Sequence, residues 1–176
     1  IAHNGEINTL KGNINWMKIH EQEMHSPLFE NIENLKPVIP SGSSDSASLD
    51  SVFELLNISG QPAPLAKLML IPDAWSKKSK TLPKDHQQLF NFLNSTMEPW
   101  DGPAAIAGTD NEWVIAANDR NGLRPMRYTI TKDKILCAGS ETGMVELDEK
   151  KIITKGRLGP GEIIGVRIET VSYTHL

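Results

Sequence analysis

The chain reads as a single α+β domain in which helices come first and antiparallel strands follow. Three observations carry that reading. Before Pro99, apolar residues recur at helical spacing, most clearly at Leu49, Val52, Phe53 and Leu56. After Pro99 the pattern changes to short strand-like runs separated by the turn dipeptides Asp110-Asn111 and Lys132-Asp133. No repeat, low-complexity tract or linker divides the 176 residues, a length that fits one domain with a full core. Helices in one block and strands in the next point to a layered α+β architecture.

Residues 1–3 read as the end of a strand that enters an Asn4-Gly5 turn. Asn8 or Thr9 is placed to cap a helix running to about Met24, with Leu10, Ile14, Met17 and Met24 on one face. Residues 26–43 contain Pro27, Pro37, Pro40 and Gly42 and read as a long loop. Ser44 or Asp45 caps the next helix, which Gly60 ends. A third helical segment spans about 63–71 and stops at Pro72. A fourth spans about 84–97, with Leu89, Phe90, Leu93 and Met97 in register. In the second half, 104–109 and 112–118 form one hairpin, and 126–131 and 134–138 another. A last strand pair is expected at 151–154 and 162–168.

Composition excludes several classes. Hydrophobic residues make up 39% and charged residues 23%, as in an ordinary soluble domain. The net charge is −4 and no stretch gathers five basic residues, which argues against nucleic acid. The densest basic run, Lys77-Lys78-Ser79-Lys80, reads as a solvated loop. No apolar run approaches the roughly 18 residues of a membrane helix. The one cysteine, Cys137, rules out an internal disulfide and fits a reducing, cytoplasmic setting.

Few residues carry recognisable chemistry. Asn4-Gly5 is either a plain turn or a pair of neutral donors, a carboxamide beside a glycine N–H, of the kind that stabilises the oxyanion of acyl transfer. Asp45 is either an N-cap or a carboxylate for a ligand ammonium group. Arg120 and Arg124, in the Asp119–Pro125 loop, either bind an anion or bridge the loop to the fold. His3 is either packed or shapes the turn. His20 and His25, five residues apart, lack the i, i+4 spacing of a helical metal pair. Cys137 sits inside a strand-like run, where thiols behave as small apolar side chains. No nucleophile-elbow, phosphate-loop or dinucleotide glycine motif is present.

Taken together, six segments resemble the glutaminase domain of glutamate synthases, within the class II glutamine amidotransferases. They are Ala2 to Asn13, Gly42 to Asp50, Met97 to Ala105, Asp119 to Pro125, Ser140 to Gly143 and Gly156 to Glu162. The likeness runs from residue 1 to about residue 166. It implies an N-terminal-nucleophile hydrolase fold, an αββα sandwich of antiparallel sheets between helical layers.

The resemblance also implies a chemistry. In that family an N-terminal cysteine thiolate attacks the glutamine side-chain amide, with its own α-amino group as base. Ammonia leaves and water then cleaves the thioester, so one hard hydrolysis becomes two easier steps. By position, Asn4 would donate its side-chain amide and Gly5 its backbone N–H to the oxyanion, and Asp45 would bind the substrate's α-ammonium. The Asp119–Pro125 loop would be scaffold.

The cysteine and the arginine that clamps the substrate carboxylate are expected upstream of Ile1, which would leave the fold incomplete at its N-terminus and these 176 residues inactive alone. Residues 167–176 are expected to be a tail that departs from the family pattern, of read-through or joining origin. The implied partners are L-glutamine, the remainder of a glutamate synthase chain and a small electron-transfer subunit. FMN, an iron–sulfur cluster and NADPH or ferredoxin would serve the remainder, with no cofactor in this domain. The alternatives are another class II amidotransferase and a glutamine-sensing domain without catalysis.

Overall fold

In a computed structural model of the chain, residues 1–72 and 82–168 are described in full and 172–175 by their backbone. The basic run at 77–80 and parts of the 167–176 tail lie outside the described residues.

Among the described residues four α-helices precede Pro99: α1 (Leu10–Glu23), α2 (Asp45–Ile58), α3 (Ala63–Leu70) and α4 (Lys84–Thr96). The expected apolar faces hold. Leu49, Val52, Phe53 and Leu56 of α2 are all buried, as are Met17 of α1 and Phe90 and Leu93 of α4. Leu89 departs from expectation; it is exposed. The 26–43 segment contains a short 3-10 turn at Ile32–Leu35, whose first residues are tied by the Asn31 side chain accepting from Glu33 N–H.

The strands form two antiparallel sheets. β1 (Ala2–Gly5), β2 (Ala104–Thr109), β3 (Trp113–Asn118), β7 (Ile163–Arg167) and β8 (Ser172–His175) make one, in that order. β4 (Arg127–Thr131), β5 (Leu136–Gly139) and β6 (Ile152–Arg157) make the other, in the order β5-β4-β6. Both expected hairpins are present. Asn111 and Lys134, at their turns, take positive φ. Asp110 stiffens the first turn by accepting from Glu112 and Trp113 N–H and also receives Ala63 N–H from the start of α3.

The last two expected strands do exist, but they do not pair with each other. β6 pairs with β4 and β7 with β3, in different sheets. The chain between them crosses from one sheet to the other. Leu158 N–H donates to Met126 O and Gly161 N–H to Asp119 O, which anchors the crossing at both ends. Local alternation marks a strand, but the side-chain pattern alone does not name its neighbour.

The layers follow from which side chains share a face. Ala104, Ile106, Ile115, Ala117 and Ile163 of the larger sheet pack with the helices in one core. Ala105, Ala116 and Ile164, on the opposite face, pack with Met126, Leu158 and residues of the smaller sheet in another. The described residues therefore stack as helices, large sheet, small sheet.

One buried carboxylate holds the centre. Asp119 is 1% exposed. Its side chain accepts from Ala104 N–H at 3.0 Å, Asn121 N–H at 2.8 Å and Leu123 N–H at 3.2 Å. The Asp119–Pro125 loop is thus wound around its own first residue. Arg120 pairs with Asp101, so it bridges the loop to the fold, while Arg124 is exposed. Asp119→Ala should lower the stability of the domain by about 3 kcal/mol, since backbone donors lose their acceptor inside the protein. A denaturant midpoint unchanged by the substitution would refute this.

Candidate active site

The candidate residues gather where β1 ends. This strand runs through Asn4 and Gly5, so the two are strand residues and the turn comes after them. The strand pairs with β2, with Asn4 opposite Ala105 and Gly5 opposite Ala104. Two backbones then pass unusually close. Gly5 has φ +152° and Gly102 φ +153°; a Cβ on Gly5 would overlap the Pro103 carbonyl, and one on Gly102 the Glu6 carbonyl. Only glycine fits either position. The approach continues as Glu6 N–H donates to Pro103 O at 3.1 Å and Asn8 N–H to Asp101 O at 2.7 Å.

The register decides where the Gly5 N–H points. In an antiparallel ladder, bonded and non-bonded pairs alternate. Because Glu6 bonds to Pro103, the Asn4–Ala105 pair is bonded and the Gly5–Ala104 pair is not. Ala104 turns its own groups the other way. Its N–H donates to the Asp119 carboxylate and its C=O accepts from Asp119 N–H. Among the described residues β1 is the edge strand, so the Gly5 N–H faces away from β2, out over that edge of the sheet.

Strand alternation splits the neighbouring side chains between two faces. Asn4 lies across from Ala105, which belongs to the core between the sheets; its side chain is exposed and has no hydrogen-bond partner among the described residues. His3 lies across from Ile106, on the helix side, and its side chain is 1% exposed. Its Nδ1 is 2.6 Å from Ser46 Oγ.

Asp45 occupies the first turn of α2 but does not cap it. Ser44 does, accepting from Ala47 N–H at 3.2 Å. That leaves the Asp45 carboxylate to reach back to the strand. Its Oδ2 accepts from Ile7 N–H at 3.1 Å and lies 3.8 Å from His3 Nε2, and its Oδ1 accepts from Ser46 N–H at 2.7 Å. Burial pulls its pKa upward. The Ile7 and Ser46 N–H groups, with His3 beside them, outweigh that pull and hold the carboxyl below the usual range. So Asp45 adjoins the turn beyond Gly5 on the helix side, while the Asn4 side chain lies on the opposite face. The Gly5 N–H lies between them, at the edge.

The other candidates stay apart from this strand end. Cys137 lies in β5, in the other sheet, paired with Thr129. His20 pairs with Glu98 at 2.7 Å, not with His25. Among the described residues, no group of three or more His, Cys, Asp or Glu side chains is placed to hold a metal ion. No role was expected for Gly102 or Ser46. The Trp100-Asp101-Gly102-Pro103 string was the available signal for the first; nothing local marks the second.

Chemically, this strand end offers an outward Gly5 N–H, an Asn4 carboxamide with no partner among the described residues and, reaching in from the start of α2 to Ile7 N–H, the ionised Asp45 carboxylate. That set suits a ligand that is both an amide or acyl compound and an ammonium ion. Comparison with known proteins gives the class. The family model for class-II glutamine amidotransferases matches residues 1–174. The chain belongs to that family, a family of enzymes.

Among curated relatives, the NADPH glutamate synthase large chain of Azospirillum brasilense is 57% identical over 171 residues, covering 97% of this chain and 11% of the relative. That of Bacillus subtilis is 41% identical over 170 residues, covering 96% of this chain and 11% of the relative. The ferredoxin-dependent glutamate synthase of Cyanidium caldarium is 46% identical over 167 residues, covering 93% and 11%. The chain thus spans about a tenth of the length of these relatives. Among solved structures, the glutamine phosphoribosylpyrophosphate amidotransferase of B. subtilis aligns over 99% of this chain and 28% of its own, at 19% identity and a TM-score of 0.48.

Two predictions follow from the geometry. Gly5→Ala should destabilise the domain by about 3 kcal/mol, because alanine cannot hold this φ beside the Pro103 carbonyl; a melting temperature within a degree of the parent's would refute it. The second concerns acid. A carboxyl whose folded pKa is lowered contributes stability above its unfolded pKa, near 3.9, and loses it as pH falls through the folded value. Stability of the parent should therefore fall more steeply below about pH 4 than that of Asp45→Asn. Parallel stability curves over that range would count against it.

Proposed function

We propose that this domain is the glutaminase part of a glutamate synthase, releasing ammonia from L-glutamine for use by the remainder of the enzyme. The observation that carries the reading is the outward Gly5 N–H on β1, next to an Asn4 carboxamide with no partner among the described residues, in a chain of the class-II amidotransferase family. The likeness to glutamate synthases, at 57% identity in one case, supports the particular enzyme.

In this reading Asn4 and Gly5 are oxyanion donors. When a nucleophile adds to the substrate amide, the carbonyl oxygen gains negative charge, and the two N–H groups meet it. The Gly5 N–H, a backbone donor fixed by the β1–β2 ladder, needs no reorganisation as the charge forms, and the Asn4 carboxamide stands on the same strand. Asp45 binds the α-ammonium, which is charged in the free substrate and in the transition state alike. No residue of this sequence is assigned as the nucleophile. Its one thiol, Cys137, lies in the other sheet with no amine base assigned to it, so the 176 residues made alone should not turn over glutamine.

FMN, an iron–sulfur cluster, an electron donor of the NADPH or ferredoxin kind and a small electron-transfer subunit belong to the proposal for the rest of the enzyme. The residues here do not fit the cluster, which takes several thiolates where this sequence has one. A cytoplasmic setting is likewise proposed, in keeping with the single cysteine. Among the described residues no helix is long and apolar enough to cross a membrane.

The test is a pair of variants in the full-length protein, followed by steady-state glutaminase kinetics. Asn4→Ala should lower kcat by about 10²–10³ with little change in KM, since its contact strengthens only in the transition state. Asp45→Ala should do the opposite, raising KM for glutamine. A rise in KM with unchanged kcat for Asn4→Ala would overturn the oxyanion role. Normal glutamine binding by a folded Asp45→Ala would overturn the ammonium role.

A further inference from the structure

His3 is a buried imidazole that no step above uses. Its Nδ1 meets Ser46 Oγ at 2.6 Å, while its buried Nε2 has no hydrogen-bond partner among the described residues and faces Asp45 Oδ2 at 3.8 Å. The Ser46 hydroxyl has two acceptors in reach. Asp45 Oδ1 is 3.4 Å away and already receives Ser46 N–H, so the closer Nδ1 has the stronger claim. With the hydroxyl donating to Nδ1, Nε2 is the ring nitrogen that carries a proton. An N–H donor inside the protein then faces the carboxylate at 3.8 Å, an electrostatic contact rather than a hydrogen bond. The third restraint is Ile7 N–H, on the same oxygen.

We propose that His3 is a positioning residue: with Ser46 it holds the Asp45 carboxylate in the orientation that receives a ligand's ammonium group. This rests on the reading of Asp45 given above. His3 itself does not touch the ligand. Strand alternation lets β1 serve the site twice, since His3 steers the carboxylate from the helix side while Asn4, one residue on, lies on the opposite face.

The experiment is a double-mutant cycle in the full-length protein, with glutamine kinetics and melting temperature for each variant. His3→Ala should raise KM by about tenfold, with kcat within about twofold, as expected for loss of ground-state binding alone. In an Asp45→Ala background the same change should add less than about twofold, because the residue it acts through is gone. His3→Gln, whose amide can put an N–H near the Nε2 position, should restore most of the binding. Ser46→Ala should raise KM by about threefold, a moderate coupling.

The idea is overturned if folded His3→Ala binds glutamine normally, or if its effect persists in full without Asp45. Should His3→Ala fail to fold, an unchanged KM in Ser46→Ala overturns it instead. If Asp45→Ala alone leaves KM unchanged, the ammonium reading fails and this inference fails with it. A raised KM in Asp45→Ala beside a normal His3→Ala sinks only the role of His3.

Discussion

The close passage of two backbones at Gly5 and Gly102 is the constraint on which the rest of the site depends. Neither position tolerates a Cβ, because each would drive it into a carbonyl of the opposing chain. That contact sets the distance between β1 and the segment before β2, and through it the register of the whole edge. The register in turn determines that Ala104 bonds inward to Asp119 and that Gly5 is left facing outward. A donor becomes available at the edge because its neighbour's hydrogen bonds are directed into the core.

Backbone groups meet charged side chains inside the domain. Asp119 is surrounded by peptide N–H groups, and buried Lys67 donates to the Gly161 carbonyl at 3.0 Å. Both meet the same stretch of chain, since Gly161 also donates its N–H to Asp119 O. The crossing between the sheets is therefore pinned to the α3 helix on one side and to the 119–125 loop on the other. Asp45 uses the same device at the surface. Its partners are again peptide N–H groups, but its carboxylate keeps some contact with solvent. One motif, a carboxylate collecting backbone donors, serves as a structural pin when closed off and as a candidate binding group when left open.

The helices were legible because their signal is local. Leu49, Val52, Phe53 and Leu56 recur within two turns, and the cap and terminator lie beside them. The hairpins were legible for the same reason. What could not be read was pairing across distance. Nothing in 151–168 says that its two strands belong to different sheets, because the deciding contacts, at Met126 and Asp119, lie some thirty to forty residues upstream. Asn4, Gly5 and Asp45 could be picked out as chemical types, and the family resemblance supplied their roles. The direction of the Gly5 N–H, the opposite faces taken by Asn4 and His3, and the choice of Ser44 over Asp45 as the cap all depend on tertiary geometry. His3 was ambiguous in sequence, since burial of an imidazole is decided by the helix packed above it.

The pairing of β1 with β2 has a consequence for how the protein is made. Ala2 meets Ala107, so the partner of the first strand is encoded roughly a hundred residues after it. At the usual pace of translation, about 5–20 residues per second, β1 waits several seconds or more while all four helices are synthesised. Helices form on far shorter times. The edge that carries Asn4 and Gly5 is thus among the later parts of the domain to close, and a nascent chain must keep that strand from pairing elsewhere until β2 emerges.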